Sequence, residues 1–338
     1  MTQLYLRKFS LVLAADNGKG LDLADLHCQF LIRQNETSTP TQCDIRIYNP
    51  SPETIHRAGK EFSQVQIQAG YDGLFGTIFS GTIVQRRNGR TTPVDTYLDI
   101  TAYDGDLGHN FAVVNTTLAA GATQADVAKA VCTAMNPHGI TQGYTDGLAS
   151  NALPRGRVLY GMARDHLQDV ADATGTTYSI DKGKVVFVPR TSYLPGEAVV
   201  LTAATGMIGM PQQTMDGIMV RCLINPLLRV YGRLKIDNAS IQDSRLPLNN
   251  AGVNQLAAEQ IPKRDADGLY RILSIDYCGD TRGNDWYCDI ACMSLTTDAH
   301  NVPPGQIARG RAGTVTPVVP APTSPTPLPT SLPPPGHA

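Results

Sequence analysis

The sequence has little charge and no long apolar run. Charged residues make up 17% of the 338 residues, and the formal net charge is −2. A nearly neutral chain has no general attraction for nucleic acid or for an anionic membrane. The apolar stretches are too short to cross a bilayer, and the leucine-rich N-terminus fits a strand better than a signal peptide. Because the cores of protein interfaces are depleted in charge, this composition favours a protein that binds other proteins.

The cysteines lack the spacing of a metal site or of a disulfide framework. They are odd in number, scattered, and include no Cys-x-x-Cys pair. The seven residues are Cys28, Cys43, Cys132, Cys222, Cys278, Cys288 and Cys292. This pattern favours reduced, mostly buried thiols in a protein made in a cytoplasm over a set of disulfides.

Catalytic motifs are also missing. The sequence has no Gly-x-Ser-x-Gly elbow and no phosphate-binding loop. Asp165 and His166 are neighbours on a predicted helix, but His166 falls off the apolar stripe of that helix. A solvated helix face explains the pair better than catalysis does. We therefore predict no catalytic residue, no cofactor-binding residue, no metal ligand and no cofactor.

What the sequence does contain is a repeated pattern of strand, glycine-rich turn and strand. One copy covers residues 80–102 and the other covers residues 270–292. The second strands share the sequence Tyr-x-Asp-Ile-x-Ala/Cys, at 97–102 and 287–292. Strict alternation of apolar and polar residues is typical of half-buried strands. The repetition predicts one type of β-domain near each end of the chain.

A basic cluster at residues 86–90 lies around the predicted turn of the first copy, at Asn88 and Gly89. Solvated charge is normal at the tip of a hairpin, and this is the favoured interpretation. Contact with DNA or with an acidic neighbour is the alternative.

The chain divides by pattern into four parts. Residues 1–106 and 191–300 show the two-residue period of strands, whereas residues 107–190 contain helix signals and predict an α+β module. Residues 301–338 are rich in proline, with 11 of the chain's 23 prolines. Such a segment favours extended conformations without a fixed structure in isolation, or a strap that orders on a partner. The predicted fold class is mainly β with an α+β middle module.

Two helices are predicted in the middle module. Thr123 and Asp126 have the form of a capping box for the first helix. The second is predicted over residues 159–174, with Gly175 as its C-terminal cap.

Two groups of strand and turn residues form a recognisable pattern. They are 39–40, 43–51, Thr54, 65–71 and 78–83 in the first part of the chain, and 268–272, 279–284 and 286–287 in the last. With these residues the chain resembles tailed-phage baseplate hub proteins, and also related tail-tube and secretion-spike proteins. The resemblance covers residues 5–105 and 215–295, and the middle module fits only in being α+β.

The resemblance implies a non-enzymatic subunit of the virion, in the tail baseplate, assembled in the cytoplasm of the bacterial host. The resemblance also implies a trimeric ring, in which each subunit carries two tube-like β-barrel domains of similar topology. These domains would be residues 1–106 and 191–300 here. Six barrels in a trimer would adapt a six-fold tail tube to a three-fold spike. The implied partners are two further copies of the chain, the tail tube protein and the central spike protein, with the tape measure protein as a further candidate.

A different class of function is a phage-associated cell-wall hydrolase with β-rich binding domains. Its site would lie in residues 107–190, and Asp165 and His166 would be the first residues to test.

Overall fold

The computed structural model of the protein describes residues 4–15, 20–145, 147–148, 151–214, 217–243 and 267–294. The predicted proline-rich tail, 301–338, lies outside these residues. The strands are β1 Arg7–Ala14, β2 Gly20–Asp22, β3 Cys28–Asn35, β4 Gln42–Tyr48, β5 Gln64–Tyr71, β6 Leu74–Arg90, β7 Thr96–Tyr103, β8 Val113–Leu118, β9 Thr141–Gln142, β10 Arg157–Met162, β11 Thr176–Asp181, β12 Lys184–Pro189, β13 Val199–Leu201, β14 Met207–Thr214, β15 Gly217–Leu223, β16 Arg233–Ile236, β17 Gln242–Asp243, β18 Leu269–Asp280 and β19 Trp286–Met293. The α-helices are α1 Pro52–Lys60, α2 Asp106–Phe111, α3 Gln124–Met135 and α4 Ala163–Thr174. The predicted mainly β fold with an α+β middle is confirmed.

One large sheet contains fourteen of the described strands. Twelve follow the order β17-β14-β15-β19-β18-β3-β4-β7-β6-β5-β1-β2, and β16 joins β13 to β18. The pairing of β3 with β18, in which Ile32 lies opposite Tyr277, makes the N-terminal and C-terminal β-regions continuous. Both regions contribute to one hydrophobic cluster, which includes Ile47, Ile67 and Trp286.

Alternation along the strands decides which face of the sheet meets the core. In β4, Cys43, Ile45 and Ile47 are buried, whereas Asp44 and Arg46 point to the other face. Antiparallel sheets commonly bury one face and leave the other polar. The polar face is therefore a property of the sequence pattern itself.

The middle module has its own core, formed by α3 and α4 between two small sheets. One is the ribbon β8–β10, and the other has the order β11-β12-β9. The predicted capping box is confirmed, because Thr123 and Asp126 each accept a backbone N–H from the other. Gly175 ends α4 with a φ of 65°, as predicted from its place after the last apolar residue.

The predicted start of the second helix, at Leu159, was wrong. Residues 157–162 form β10, and α4 begins at Ala163. Leu159 is fully buried in the strand, and Ala163 and Leu167 are buried in the helix. A short apolar pattern fits both the period of a strand and the period of a helix. The strand could therefore not be separated from the helix that follows it.

The predicted turn of the first hairpin was also wrong. Strand β6 continues to Arg90, and the chain turns at residues 91–95, where Thr92 Oγ1 accepts the N–H of Asp95. The basic cluster therefore belongs to a strand and not to its tip. Arg86 is partly buried and donates to the carbonyl oxygen of Phe62.

The cysteines are mostly buried, as predicted: six are buried and Cys278 is partly exposed.

None of the helices in the described ranges is long and apolar enough to span a bilayer.

Arg271 joins the middle module to both β-regions. This side chain of β18 is 2% exposed. Its Nη1 donates to the carbonyl oxygens of Pro189 and Arg190 at 2.9 and 2.8 Å, at the end of β12. Its Nη2 lies 3.1 Å from Oε2 of Glu36, which follows β3. A buried charge costs several kcal/mol unless it is paired and hydrogen-bonded. These partners satisfy the two terminal nitrogens of Arg271, whereas its buried Nε has no hydrogen-bond partner.

A second junction lies at the end of β7. Asp104 is buried, and its carboxylate accepts the backbone N–H groups of Lys182 and Gly183 in the β11–β12 turn, the latter at 2.9 Å. Burial raises the pKa of Asp104 to about 7, against the lowering effect of these two N–H groups. The module is thus held to the sheet by one buried cation and one buried carboxyl group.

Candidate interaction face of the sheet

The polar face of the large sheet forms ordered rows of charged and polar side chains. In one row, Arg221, Asp289, Asp276, Arg33 and Gln42 lie opposite one another across β15, β19, β18, β3 and β4. Cross-strand neighbours on one face are close enough to interact, so the opposite charges of Arg221 and Asp289, and of Asp276 and Arg33, favour the row. At its centre, Asp289 and Asp276 form a like-charge pair, which opposes it.

A second row borders a groove of about 540 Å³. It contains Asp280, Gln29, Arg46, Asp99 and Arg87 across β18, β3, β4, β7 and β6. Within it, Gln29 Nε2 donates to Asp280 Oδ2 at 2.8 Å. The groove therefore crosses the seam where the two β-regions join.

Arg46 is held in this row by two kinds of contact. Its Nε and Nη2 donate to the two carboxylate oxygens of Asp99 at 2.7 and 2.9 Å. The guanidinium carbon lies 4.5 Å from the ring centroid of Tyr97. The hydrogen bonds that Arg46 donates to Asp99 raise the pKa of Arg46, so the guanidinium stays charged. Two parallel hydrogen bonds and a stacked ring fix the orientation of this cation.

Arg221 makes the same contacts in the C-terminal β-region. Its Nε and Nη2 donate to the carboxylate of Asp289 at 2.8 and 3.0 Å. Its guanidinium carbon lies 4.1 Å from the ring centroid of Tyr287.

The strand register shows that these are two copies of one three-stranded unit. The hairpin β6–β7 pairs Ile83 with Ala102, and the hairpin β18–β19 pairs Ile272 with Cys292. Each hairpin has a bulge immediately after this pair, at Ile83/Gln85 and at Ile272/Ser274. The third strand is β4 in the first copy and β15 in the second. The sequence repetition is therefore confirmed in structure.

The repeated sequence pattern indicates the tyrosine and the aspartate of each unit but not the arginine. Arg46 and Arg221 lie on strands far from their hairpins in sequence. The available signal was an arginine between two apolar residues, in Ile45-Arg46-Ile47 and in Val220-Arg221-Cys222.

Asp280 is a separate fixed charge at the edge of the groove. Burial opposes its ionisation, but hydrogen bonds from Gln29 and from the backbone of Arg282 and Gly283 outweigh burial and lower its pKa to about 2. His27 Nε2 lies 2.8 Å from the same carboxylate. The groove thus keeps an anion at its edge throughout the neutral range.

The structure places Asp165 and His166 on α4, away from the groove. Asp165 is exposed and lies 3.6 Å from Arg164. The prediction of a solvated face was wrong for His166, whose side chain is only 14% exposed. Its Nδ1 is 3.9 Å from Asp169, one turn along the helix. The described part of the chain holds no group of three or more His, Cys, Asp or Glu residues that would bind a metal.

The model of the baseplate hub gp41 family matches residues 23–244, more than half of the chain. The chain belongs to this family. The resemblance found in the sequence is thereby confirmed, and the protein is a structural component of a phage tail. No curated protein sequence matches the chain significantly.

Solved tail proteins share the fold of this hub protein. The 43 kDa tail protein of prophage MuSo2 from Shewanella oneidensis has 10% identity and a TM-score of 0.55, with 88% of this chain and 99% of that chain covered. The tail protein from Neisseria meningitidis MC58 has 11% identity and a TM-score of 0.55, with coverage of 86% and 97%. The E. coli c3393 protein, a component of the type VI secretion system, has 12% identity and a TM-score of 0.50, with coverage of 90% and 80%.

Proposed function

We propose that three copies of this chain form a ring that adapts the six-fold tail tube to a three-fold central spike. The observation that carries the proposal is the pair of equivalent units around Arg46 and Arg221. Each chain has two such units, so a trimer presents six similar positions. A partner with six-fold symmetry would then meet six related surfaces, and a partner with three-fold symmetry would meet three identical chains.

The two units are related but not identical, which suits a subunit with different neighbours at its two ends. Strand β4 pairs with β3 and β7, and β3 also pairs with β18 of the other unit. Strand β15 pairs with β14, near the end of the sheet. We infer that residues 1–106 and 191–300 are the two tube-like barrel domains, with residues 107–190 as a separate module.

We propose that the polar face of the large sheet lines the central opening of the ring. It alternates Arg46 with Asp99, and Arg221 with Asp289, so it carries both signs of charge. A surface without one dominant sign does not hold DNA or protein strongly by long-range attraction. Such a lining suits a passage through which the tape measure protein and then DNA move. Tail tube protein and spike protein would contact the two ends of the ring.

We infer that the chain is not an enzyme and that it assembles in the bacterial cytoplasm. Its seven cysteines are free, and six are buried. Thiols of this kind are usual in proteins that fold under reducing conditions.

Cryo-electron microscopy and native mass spectrometry of the purified full-length chain test the ring. We expect a mass of three chains and a three-fold particle whose inner density has approximate six-fold symmetry. A chain that stays monomeric at high concentration and is absent from virions would overturn the proposal.

A further inference from the structure

The β8–β10 ribbon of the middle module carries an apolar outer face. Val158 and Tyr160 on β10 are 70% and 75% exposed, and Val113 on β8 is 56% exposed. Phe111, at the end of α2, is 64% exposed and lies two residues before Val113. Exposed apolar side chains in a contiguous group mark an interaction site more often than isolated ones do.

The strand register places Val113, Val158 and Tyr160 on one face. Tyr160 lies opposite Asn115, and Val158 lies opposite Thr117. The inner face is buried on α3 and α4, where Val114 and Leu159 are 1% and 0% exposed. Within the described residues, neither edge of the ribbon pairs with a further strand. The ribbon is therefore an amphipathic two-stranded sheet whose outer side is available for a ligand.

The chain leaves the large sheet close to the middle module. Met293, at the end of β19, lies opposite Arg271 in the register of β18 and β19. Arg271 in turn donates to the carbonyl oxygens of Pro189 and Arg190 in the module. The residues after 294 thus begin at the junction of sheet and module. Forty-four residues follow, 295–338.

These residues have both the length and the chemistry to reach and cover the ribbon. A polyproline II segment extends about 3.1 Å per residue, so even twenty residues span about 60 Å. Residues 301–338 contain 11 prolines and no Asp or Glu. Proline-rich segments bind to exposed aromatic side chains, because their preformed extended shape loses little entropy on binding. Tyr160 and Phe111 provide two such rings.

We propose that residues 303–335 form a strap that docks across the outer face of the β8–β10 ribbon of the same chain. The prolines pack against the rings of Tyr160 and Phe111, and the strap covers Val113 and Val158. The strap joins the end of the second β-region to the middle module. This inference does not depend on the number of chains in the assembly.

Photo-crosslinking of the full-length chain tests the strap. Benzoyl-phenylalanine replaces Tyr160 in one variant and Phe75, an exposed residue of the β5–β6 hairpin, in a matched control. After irradiation, mass spectrometry identifies the linked peptides. We expect position 160 to link to residues 303–335 at least about tenfold more often than position 75 does. An equal mixture of ¹⁴N-labelled and ¹⁵N-labelled chains separates links within a chain from links between chains.

Three outcomes would overturn the proposal. Links from position 160 to the body of a second copy would show that the ribbon is a subunit interface. Mixed-isotope links to residues 303–335 would show a strap from a neighbouring chain. No link to the tail would show that the ribbon is left open or meets another partner.

A second measurement needs no unnatural residue. The double substitution Val158→Ser and Tyr160→Ser removes the apolar platform from two exposed positions, which a fold usually tolerates. If the strap is docked, trypsin should cleave at Arg309 and Arg311 about tenfold faster in this variant than in the wild type, because cleavage follows the undocked fraction. The matched control is Ile208→Ser with Met210→Ser, two exposed apolar residues of β14. Equal cleavage in all three proteins would contradict docking.

Discussion

Arg46 and Arg221 occupy the same position in two copies of one three-stranded unit. Each donates two hydrogen bonds to an aspartate on the neighbouring strand, and each lies over a tyrosine two residues before that aspartate. The same three side chains in the same register are strong evidence that the two β-regions arose from one pattern. The equivalence also makes the two sites a matched pair for experiment.

Replacing either arginine should cost the fold a similar, modest free energy. We expect Arg46→Met and Arg221→Met each to lower the free energy of unfolding by about 1 kcal/mol, since both pairs are partly exposed. The two sites share no partner, so the double variant should show the sum of the two effects. Urea unfolding followed by circular dichroism measures each value.

Arg87→Met is the control for this pair, because Arg87 is exposed on the same face and lies beside Asp99 in the register. Its effect should stay within about 0.5 kcal/mol. A difference of several kcal/mol between the Arg46 and Arg221 variants would contradict the equivalence of the two units.

The substitution Arg271→Met should be far more damaging. It removes the cation that pairs with partly buried Glu36 and leaves the carbonyl oxygens of Pro189 and Arg190 without this donor. Loss of one partner of a buried pair typically costs about 3–5 kcal/mol. Hydrogen exchange should show faster exchange in β12 and at the end of β3 than in β5. Uniform exchange rates in these strands would argue against a role for Arg271 as a junction.

Asp104 should make the stability of the protein depend on pH between about 4 and 7. Burial raises the pKa of its carboxyl group to about 7, from 3.8. Because the folded state holds the proton more tightly than the unfolded state, the contribution of this group is fully present below pH 4. It is then lost as the pH rises to 7, by up to about 1.4 kcal/mol per pH unit.

The variant Asp104→Asn removes this titration. The difference in unfolding free energy between wild type and variant should fall between pH 4.5 and pH 7.5 and stay constant above pH 8. Urea unfolding at several pH values measures it, and Asp106→Asn, at the start of α2, serves as the control. Parallel pH profiles for wild type and Asp104→Asn would show that Asp104 is not the group responsible.

A peptidoglycan zymogram tests the alternative of a cell-wall hydrolase. We expect no clearing by the purified full-length chain. Clearing that is lost in Asp165→Asn or His166→Ala, but kept in Asp172→Asn on the same helix, would establish an active site in the middle module. The partial burial of His166 makes a folding check by circular dichroism necessary for that variant.

Local patterns in the sequence predicted the strands and caps, because those features depend on neighbouring residues. Alternation identified β4, and the residues around Thr123 predicted the start of α3. The same reasoning failed at Leu159, where a buried strand leads directly into a buried helix. Periodicity alone does not separate the two over so few residues.

Long-range partners could not be predicted in this way. Nothing near Asp99 in sequence indicates that Arg46 will bind it, and nothing near Ile32 indicates Tyr277. Strand pairing depends on register and on shape complementarity across the whole sheet, so it leaves no short signal. Alternation along the strands predicted that one face of the sheet is polar. It did not predict the rows of charged side chains across that face or the groove beside them.

The pairing of β3 with β18 has a consequence for the synthesis of the protein. Ile32 and Tyr277 are neighbours in the sheet but emerge from the ribosome far apart in time. At about 5–20 residues per second, an interval of roughly 245 residues lasts on the order of 10–50 seconds. During that interval one edge of β3 has no native partner, and an unpaired edge is prone to join the wrong chain. Emergence of β18 is thus the event that closes this edge, so the subunit becomes ready for assembly only after β18 has been made.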